Sequence, residues 1–156
     1  MDGEGSAAMA EELTDEGLRA VGVRVDVRDP GHLDAMAELA VTTFGRIDIL
    51  INNAAPFTTV PMSRSPFDEI EIEEWDRMMA VNLRGAWFAS RSVFPTMRAQ
   101  GCGKIVNIGS GTALKGSSNR IHYVTSKAGI MGFTRTRARS RANGNHRQLC
   151  SFDDLG

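Results

Sequence analysis

Apolar residues along this chain fall alternately into short unbroken runs and into stripes of helical period. Val21-Gly-Val-Arg-Val-Asp-Val27 is rich in β-branched residues and predicts a strand. Asp29-Pro30 follows with an N-cap residue and a proline suited to the first helical position. Leu33, Met36, Ala37, Leu39 and Ala40 then form one helical stripe, ended near Gly45. Ile47-Asp-Ile-Leu-Ile51 reads as a buried strand that stops at Asn52-Asn53. Residues 56–70 hold Pro56, Pro61 and Pro66 and read as a loop. A long helix is predicted from Ile72 to Arg98, carrying Trp75, Met78, Met79, Val81, Leu83 and Phe88. Lys104-Ile-Val-Asn-Ile108 is a further buried strand, ending at Gly109-Ser110-Gly111, and another helix begins around Ile121.

Strands alternating with helices across short connections predict an α/β fold: a parallel sheet with helices on both faces. Ligands of such sheets bind beyond the carboxyl ends of the strands. Asp26, Asn52, Asn53 and Ser110 all fall at that end of their own predicted strands.

Composition narrows the classes of function. At 156 residues the chain has room for one sizeable core. A net charge of −1 supplies no general attraction to nucleic acid or to an anionic membrane. No apolar run approaches the roughly 20 residues needed to span a bilayer, and Met1-Asp-Gly-Glu-Gly-Ser6 lacks the basic start and apolar stretch of a signal peptide. Cys102 and Cys150 are too few and too isolated for a disulfide framework or a zinc site, so no metal is expected and a cytoplasmic location is.

Candidate chemistry centres on Tyr123-Val-Thr-Ser-Lys127. Residues four apart lie on one helix face. Free tyrosine titrates near ~10 and is a poor base at neutral pH, whereas a lysine cation one turn away favours the phenolate. A nearby serine hydroxyl, here Ser110, would hold the oxygen of a carbonyl or alcohol beside the phenol. The spacing alone is equally that of an exposed Tyr–Lys pair. Other residues keep two readings as well. Asp26 could simply end a strand, and Asn53 could brace loops. His122 could contact substrate or sit on the surface at a helix start. Asn107 suits a structural strand end, Met78, Met79 and Trp87 suit helix packing, and Glu69, Glu71, Glu73 and Glu74 suit a solvated helix N-terminus.

Several motifs occur together and in order: Asp26-Val27, Asn52-Asn53-Ala54-Ala55, Val81-Asn82-Leu83, Ile105-Val106-Asn107-Ile108-Gly109-Ser110 and Tyr123-x-x-x-Lys127. From about residue 2 to about residue 136 the chain resembles the short-chain dehydrogenase/reductase family of classical type. That resemblance implies a Rossmann-like, doubly wound parallel sheet and NAD or NADP as cofactor. It implies a small alcohol or ketone as substrate and homo-oligomers for an intact member. Tyr123 would be the acid/base and Ser110 would orient the substrate oxygen. Lys127 would hold the nicotinamide ribose and Asn82 would anchor a water in a proton relay. Asp26 and Val27 would border the adenine, and Asn52 and Ala54 would line the cofactor groove. Ala55 stands where the family pattern has glycine.

The family's glycine-rich turn between a first strand and helix has no counterpart here, because Gly3 and Gly5 follow no strand. The resemblance therefore implies an incomplete fold, with the first βαβ unit and the C-terminal strands missing. Residues 1–136 would form a partial catalytic domain and 137–156 an irregular tail bearing Arg137, Arg139, Arg141 and Arg147. Asn145-His-Arg-Gln-Leu149 can be encoded AAT CAC CGT CAA CTG, and dropping the first base yields Ile-Thr-Val-Asn, a family-like strand. A one-base frameshift near residue 136 accounts for the arginines better than a nucleic-acid-binding tail does. The function implied is alcohol–ketone interconversion by hydride transfer; the alternative is a catalytically inactive remnant of the family.

Overall fold

The computed structural model describes residues 3–56 and 62–135 and the backbone of 151–155. Strands β1 (Ile49–Asn52) and β2 (Lys104–Ile108) pair in parallel, with Ile49 opposite Lys104 and Asn52 opposite Asn107. Strand β3 (Ser151–Leu155) lies parallel along the other edge of β2, giving the order β1-β2-β3. The chain is thus an α/β protein with an incomplete Rossmann-like parallel sheet. Five residues of the segment read as an irregular tail supply one of its strands. Arg137, Arg139, Arg141 and Arg147, and the frameshift reading attached to them, lie outside the described residues.

Helix α1 (Gly3–Asp15) was not anticipated by the pattern of apolar runs, although Ala7, Ala8, Met9, Ala10, Glu11, Glu12 and Leu13 are all strong helix formers. Helix α2 (Pro30–Phe44) begins as its sequence predicts: the Asp29 carboxylate accepts from the Gly31 N–H at 2.8 Å, and Pro30 occupies the first turn. The long helix is three consecutive pieces, α3 (Ile72–Met79), a π segment (Ala80–Gly85) and α4 (Ala86–Gln100). A short helix α5 (Thr112–Lys115) leads to α6 (Ile121–Thr134).

The core joins α2 and α4 to one face of the sheet. Ala37 from α2, Val93 and Met97 from α4, Ile47 and Ile105 are buried together, with Leu50 and Phe94 packed against them. Met97 and Ile105 have no exposed surface. Ile49 and Ile51, on the opposite face of β1, are 59% and 61% exposed, so no described element covers that face of the strand. Among the described residues, no helix is long and apolar enough to cross a membrane.

The strand predicted over Val21–Val27 does not form; residues 18–26 belong to no ladder. A strand is stabilised by hydrogen bonds to a neighbour, and among the described residues none lies beside this segment. It rests on α1 instead. A side chain at Gly22 would put its Cβ 2.2 Å from the Ser6 carbonyl oxygen, so only glycine permits that approach. Val21 and Val23 are left 42% and 39% exposed.

Gln100, the last residue of α4, extends the edge of the sheet with its side chain. Its Oε1 accepts from the Ile47 N–H at 2.9 Å, and its Nε2 donates to the Ile47 carbonyl at 2.7 Å. The primary amide therefore satisfies both backbone groups just before β1, as a ladder partner would. Gln100→Ala should leave both groups unpaired in a partly buried place and lower stability by about 1–3 kcal/mol. A shifted urea midpoint with an unchanged slope would report this; an unchanged midpoint would show that water replaces the amide at no cost.

Candidate active site

Five sequence elements converge where the π segment meets α6. A π turn carries one residue more than an α turn and is common at functional sites. Here it holds Asn82, which is 4% exposed. The Asn82 Nδ2 donates to the Ser126 Oγ at 2.9 Å and approaches the Met78 Sδ at 3.2 Å. Ser126 in turn donates to the Tyr123 carbonyl at 2.8 Å. With the serine hydrogen spent there, its oxygen must accept from the amide, and this fixes which way Asn82 points. The Asn82 Oδ1 is left buried with no hydrogen-bond partner among the described residues.

Lys127 is also buried, and its Nζ donates to the Ile108 carbonyl at the end of β2. That contact draws α6 onto the strand end two residues before Ser110. Lys127, Asn82, Asn52, Ala54 and Val27 line one small cavity of about 20 Å³. Val27 reaches it because Gly85 has no side chain: a Cβ there would sit 2.9 Å from the Val27 Cγ2 and 3.2 Å from its carbonyl oxygen. Five residues read from the sequence as site residues, Val27, Asn52, Ala54, Asn82 and Lys127, thereby line one cavity.

The others are arranged differently. Tyr123 is half-buried in the first turn of α6, with the Arg120 guanidinium carbon 5.9 Å from its ring centroid. The Ser110 hydroxyl lies 2.9 Å from the Thr112 Oγ1 and accepts from the Thr112 N–H at 3.3 Å, so it starts the α5 turn. Asn52 turns its amide into the interior: its Nδ2 donates to the Asn107 Oδ1 at 2.8 Å, and Asn107 donates to the Thr134 Oγ1 at 3.0 Å. This chain ties both strand ends to the end of α6 and agrees with a structural part for Asn107.

Asp26 does not end a strand, nor does it line the cavity. Its carboxylate is taken by the Arg28 guanidinium in a fork with contacts of 2.6–3.1 Å and also accepts from the Arg28 N–H. Those hydrogen bonds from Arg28 hold its pKa at about 2, against an ordinary 3.8.

His122 reads from the sequence as a surface residue, yet it has no exposed surface at all. Its Nε2 lies 3.1 Å from the Glu74 Oε1, without the alignment of a hydrogen bond. Burial pushes the Glu74 carboxyl up, but hydrogen bonds from Ser63 and the nearby imidazole outweigh this and hold it below its ordinary value. Glu74 therefore belongs to the packing between α3 and α6 and not to a solvated face. A histidine at a helix start carries no sequence signal for such a contact, since its partner lies on another helix. A surface groove of about 850 Å³, lined by Arg28, Arg84, Trp87 and Phe133 among others, includes none of these candidate catalytic residues.

The model of the short chain dehydrogenase family matches residues 2–145. The chain belongs to this family. Its relatives include cis-4-hydroxycyclohexanecarboxylate dehydrogenase of Sinomonas cyclohexanicum, 33% identical over 86% of this chain and 53% of the relative. A 3-oxoacyl-(acyl-carrier-protein) reductase of Staphylococcus aureus is 30% identical over 90% of this chain and 55% of its own length. The 2-(R)-hydroxypropyl-CoM dehydrogenase of Xanthobacter autotrophicus is 36% identical over 76% and 46%. The chain thus spans about half the length of the curated relatives it matches. In this short chain dehydrogenase Asn82 lies on the π turn, and Tyr123 and Lys127 lie one turn apart on α6.

The Asp26–Arg28 fork makes a pH prediction. A carboxyl whose folded pKa lies below its unfolded value stabilises the fold above the unfolded value, and that contribution is lost as pH falls through the folded one. The contribution should therefore be complete above about pH 4 and disappear towards pH 2. Arg28→Ala should return the Asp26 pKa towards the ordinary carboxylate range in a carbon-13 NMR titration. An unmoved titration would show that the fork does not set it.

Proposed function

We propose that this chain is the catalytic part of an NAD(P)-dependent oxidoreductase that interconverts a secondary alcohol and a ketone, with Tyr123 as the acid/base. The single observation that carries the reading is the buried Asn82 Oδ1, without a hydrogen-bond partner among the described residues, in a cavity of about 20 Å³ that it shares with Lys127 of the helix bearing Tyr123. A water needs roughly 10–15 Å³ and two or more polar partners. Asn82 and Lys127 offer such partners, so the cavity suits one water of a proton relay.

The residues also fit the nicotinamide end of the cofactor. Lys127 brings an ammonium whose donors suit ribose hydroxyls, and Val27 and Ala54 bring small apolar surface to the same cavity. Lys127, Asn52 and Ala54 would hold that end outside the cavity itself, whose volume of about 20 Å³ suits a water and not a ribose. Val27 would border the adenine end. When bound, the nicotinamide supplies the acceptor or donor of hydride.

The chain's own residues do the rest. In oxidation, Tyr123 takes the hydroxyl proton as the carbon gives up its hydride; in reduction it returns that proton to the oxygen. Ser110 orients the substrate oxygen, which requires its hydroxyl to exchange Thr112 for substrate. Lys127 offers, with the Asn82-held water, a route for the proton away from the site. Asn82 and Ser126 keep the first turn of α6 in register with the π segment, so that Tyr123 and Lys127 stay on one side.

The test uses the full chain. Titration with NADH or NADPH should change nicotinamide fluorescence, and secondary alcohols should be oxidised with NAD or NADP. Tyr123→Phe should retain the fluorescence change and lose turnover by roughly 10²–10⁴-fold. A folded chain that binds neither cofactor would instead favour a member of the family that is no longer an enzyme.

A further inference from the structure

We propose that Arg120 selects substrates that carry a carboxylate, binding the acid group of a small hydroxy acid or oxo acid while its alcohol or ketone oxygen meets Tyr123. The inference rests on the reading of Tyr123 as acid/base. It adds the substrate class.

Three observations carry it. First, Arg120 stands at the mouth of α6, and its guanidinium carbon lies 5.9 Å from the Tyr123 ring centroid. A group bound there is only a few bonds from an oxygen at the phenol. Second, the guanidinium is held at one corner only. Its Nε donates to the Ser117 Oγ at 3.0 Å, which leaves the paired terminal N–H groups to be met by something else. Third, its charge is uncompensated. Arg28 and Arg46 each close on an aspartate at 2.6 Å, whereas among the described residues no carboxylate pairs with Arg120.

Arg120 is also half-buried, where an unpaired cation is less well solvated than at the open surface. A planar fork with a fixed Nε and free terminal nitrogens matches the two oxygens of a carboxylate, and Arg is the residue that makes such bidentate pairs. Pairing at two points would orient the substrate as well as hold it, turning its carbinol carbon in a set direction at Tyr123. A neutral alcohol would gain none of this.

The probes are 4-hydroxycyclohexanecarboxylate, its methyl ester and cyclohexanol, given to the full chain with NAD or NADP. The wild type should show a higher kcat/KM for the acid than for the ester. Arg120→Met should shrink the acid-over-ester ratio roughly tenfold to a hundredfold, chiefly through KM for the acid, and Arg120→Lys should restore part of it. Binding of the acid, followed by ligand-observed NMR without turnover, should weaken in the same order. Equal kcat/KM for acid and ester in the wild type would overturn the inference and leave the dehydrogenase reading standing, and it needs no variant. Acid binding that depends on Arg120, with no turnover of any probe, would keep the carboxylate site at Arg120 and overturn the reading of Tyr123 on which its role in substrate selection rests. Neither binding nor turnover of the acid by a folded wild-type chain would overturn both.

Discussion

The hydrogen bond from Asn82 to Ser126 is the joint on which the candidate site depends. Its two ends lie on different helices, and its geometry requires a π turn on one of them. An α-helical register through residues 80–85 would carry Asn82 around the helix axis and away from α6. With the extra residue of the π turn, the amide faces Ser126, Ser126 faces the Tyr123 carbonyl, and the first turn of α6 is held from the side. The Lys127 contact with Ile108 then fixes the same helix to the sheet one turn further along. Two polar contacts, on two sides, therefore set where Tyr123 and Lys127 stand.

Much of this was legible in the sequence, and the limits have physical causes. Helix α2 and strand β2 follow from local signals: a capping aspartate with its proline, and a short β-branched run ending at glycine. The long helix was legible as a helix but not as one with a π turn, because that turn answers to a partner on α6 and leaves no periodic mark on residues 72–100. His122 was misread for the same reason. Its burial is decided by Glu74 and α3, and nothing next to it in the chain says so. Helix α1 is legible in its residues, which favour helix strongly, although it carries no long apolar stripe.

Val21–Val27 marks the opposite limit. Its composition favours a strand, yet strand propensity expresses fitness for a pleated, half-buried surface beside a neighbour, not an intrinsic preference. Where no neighbour is described, the segment settles against α1, and Asp26 finds Arg28 two residues away. The same principle explains β1. Its inner face, with Leu50, joins the core, while Ile49 and Ile51 remain uncovered on the other side. Motif order was thus a sounder guide to the family than to the local backbone that carries the motifs.

Hydrophobic packing alone would not produce this arrangement. The partly buried chain Asn52–Asn107–Thr134 runs across the sheet to the last turn of α6, and the buried Asn82–Ser126 pair meets the first turn. Buried polar groups are costly when unpaired, so an alternative packing that slid α6 by one residue would strand several of them at once. Apolar residues of similar size would tolerate such a slide, because dispersion contacts are many and non-directional. The helix bearing Tyr123 is therefore pinned at both ends by groups that accept only one register. Among the described residues the Asn82 Oδ1 is one of the buried polar atoms left open, and it shares a cavity with Lys127. An orphaned acceptor is destabilising in a finished core, and a single bound water would satisfy it.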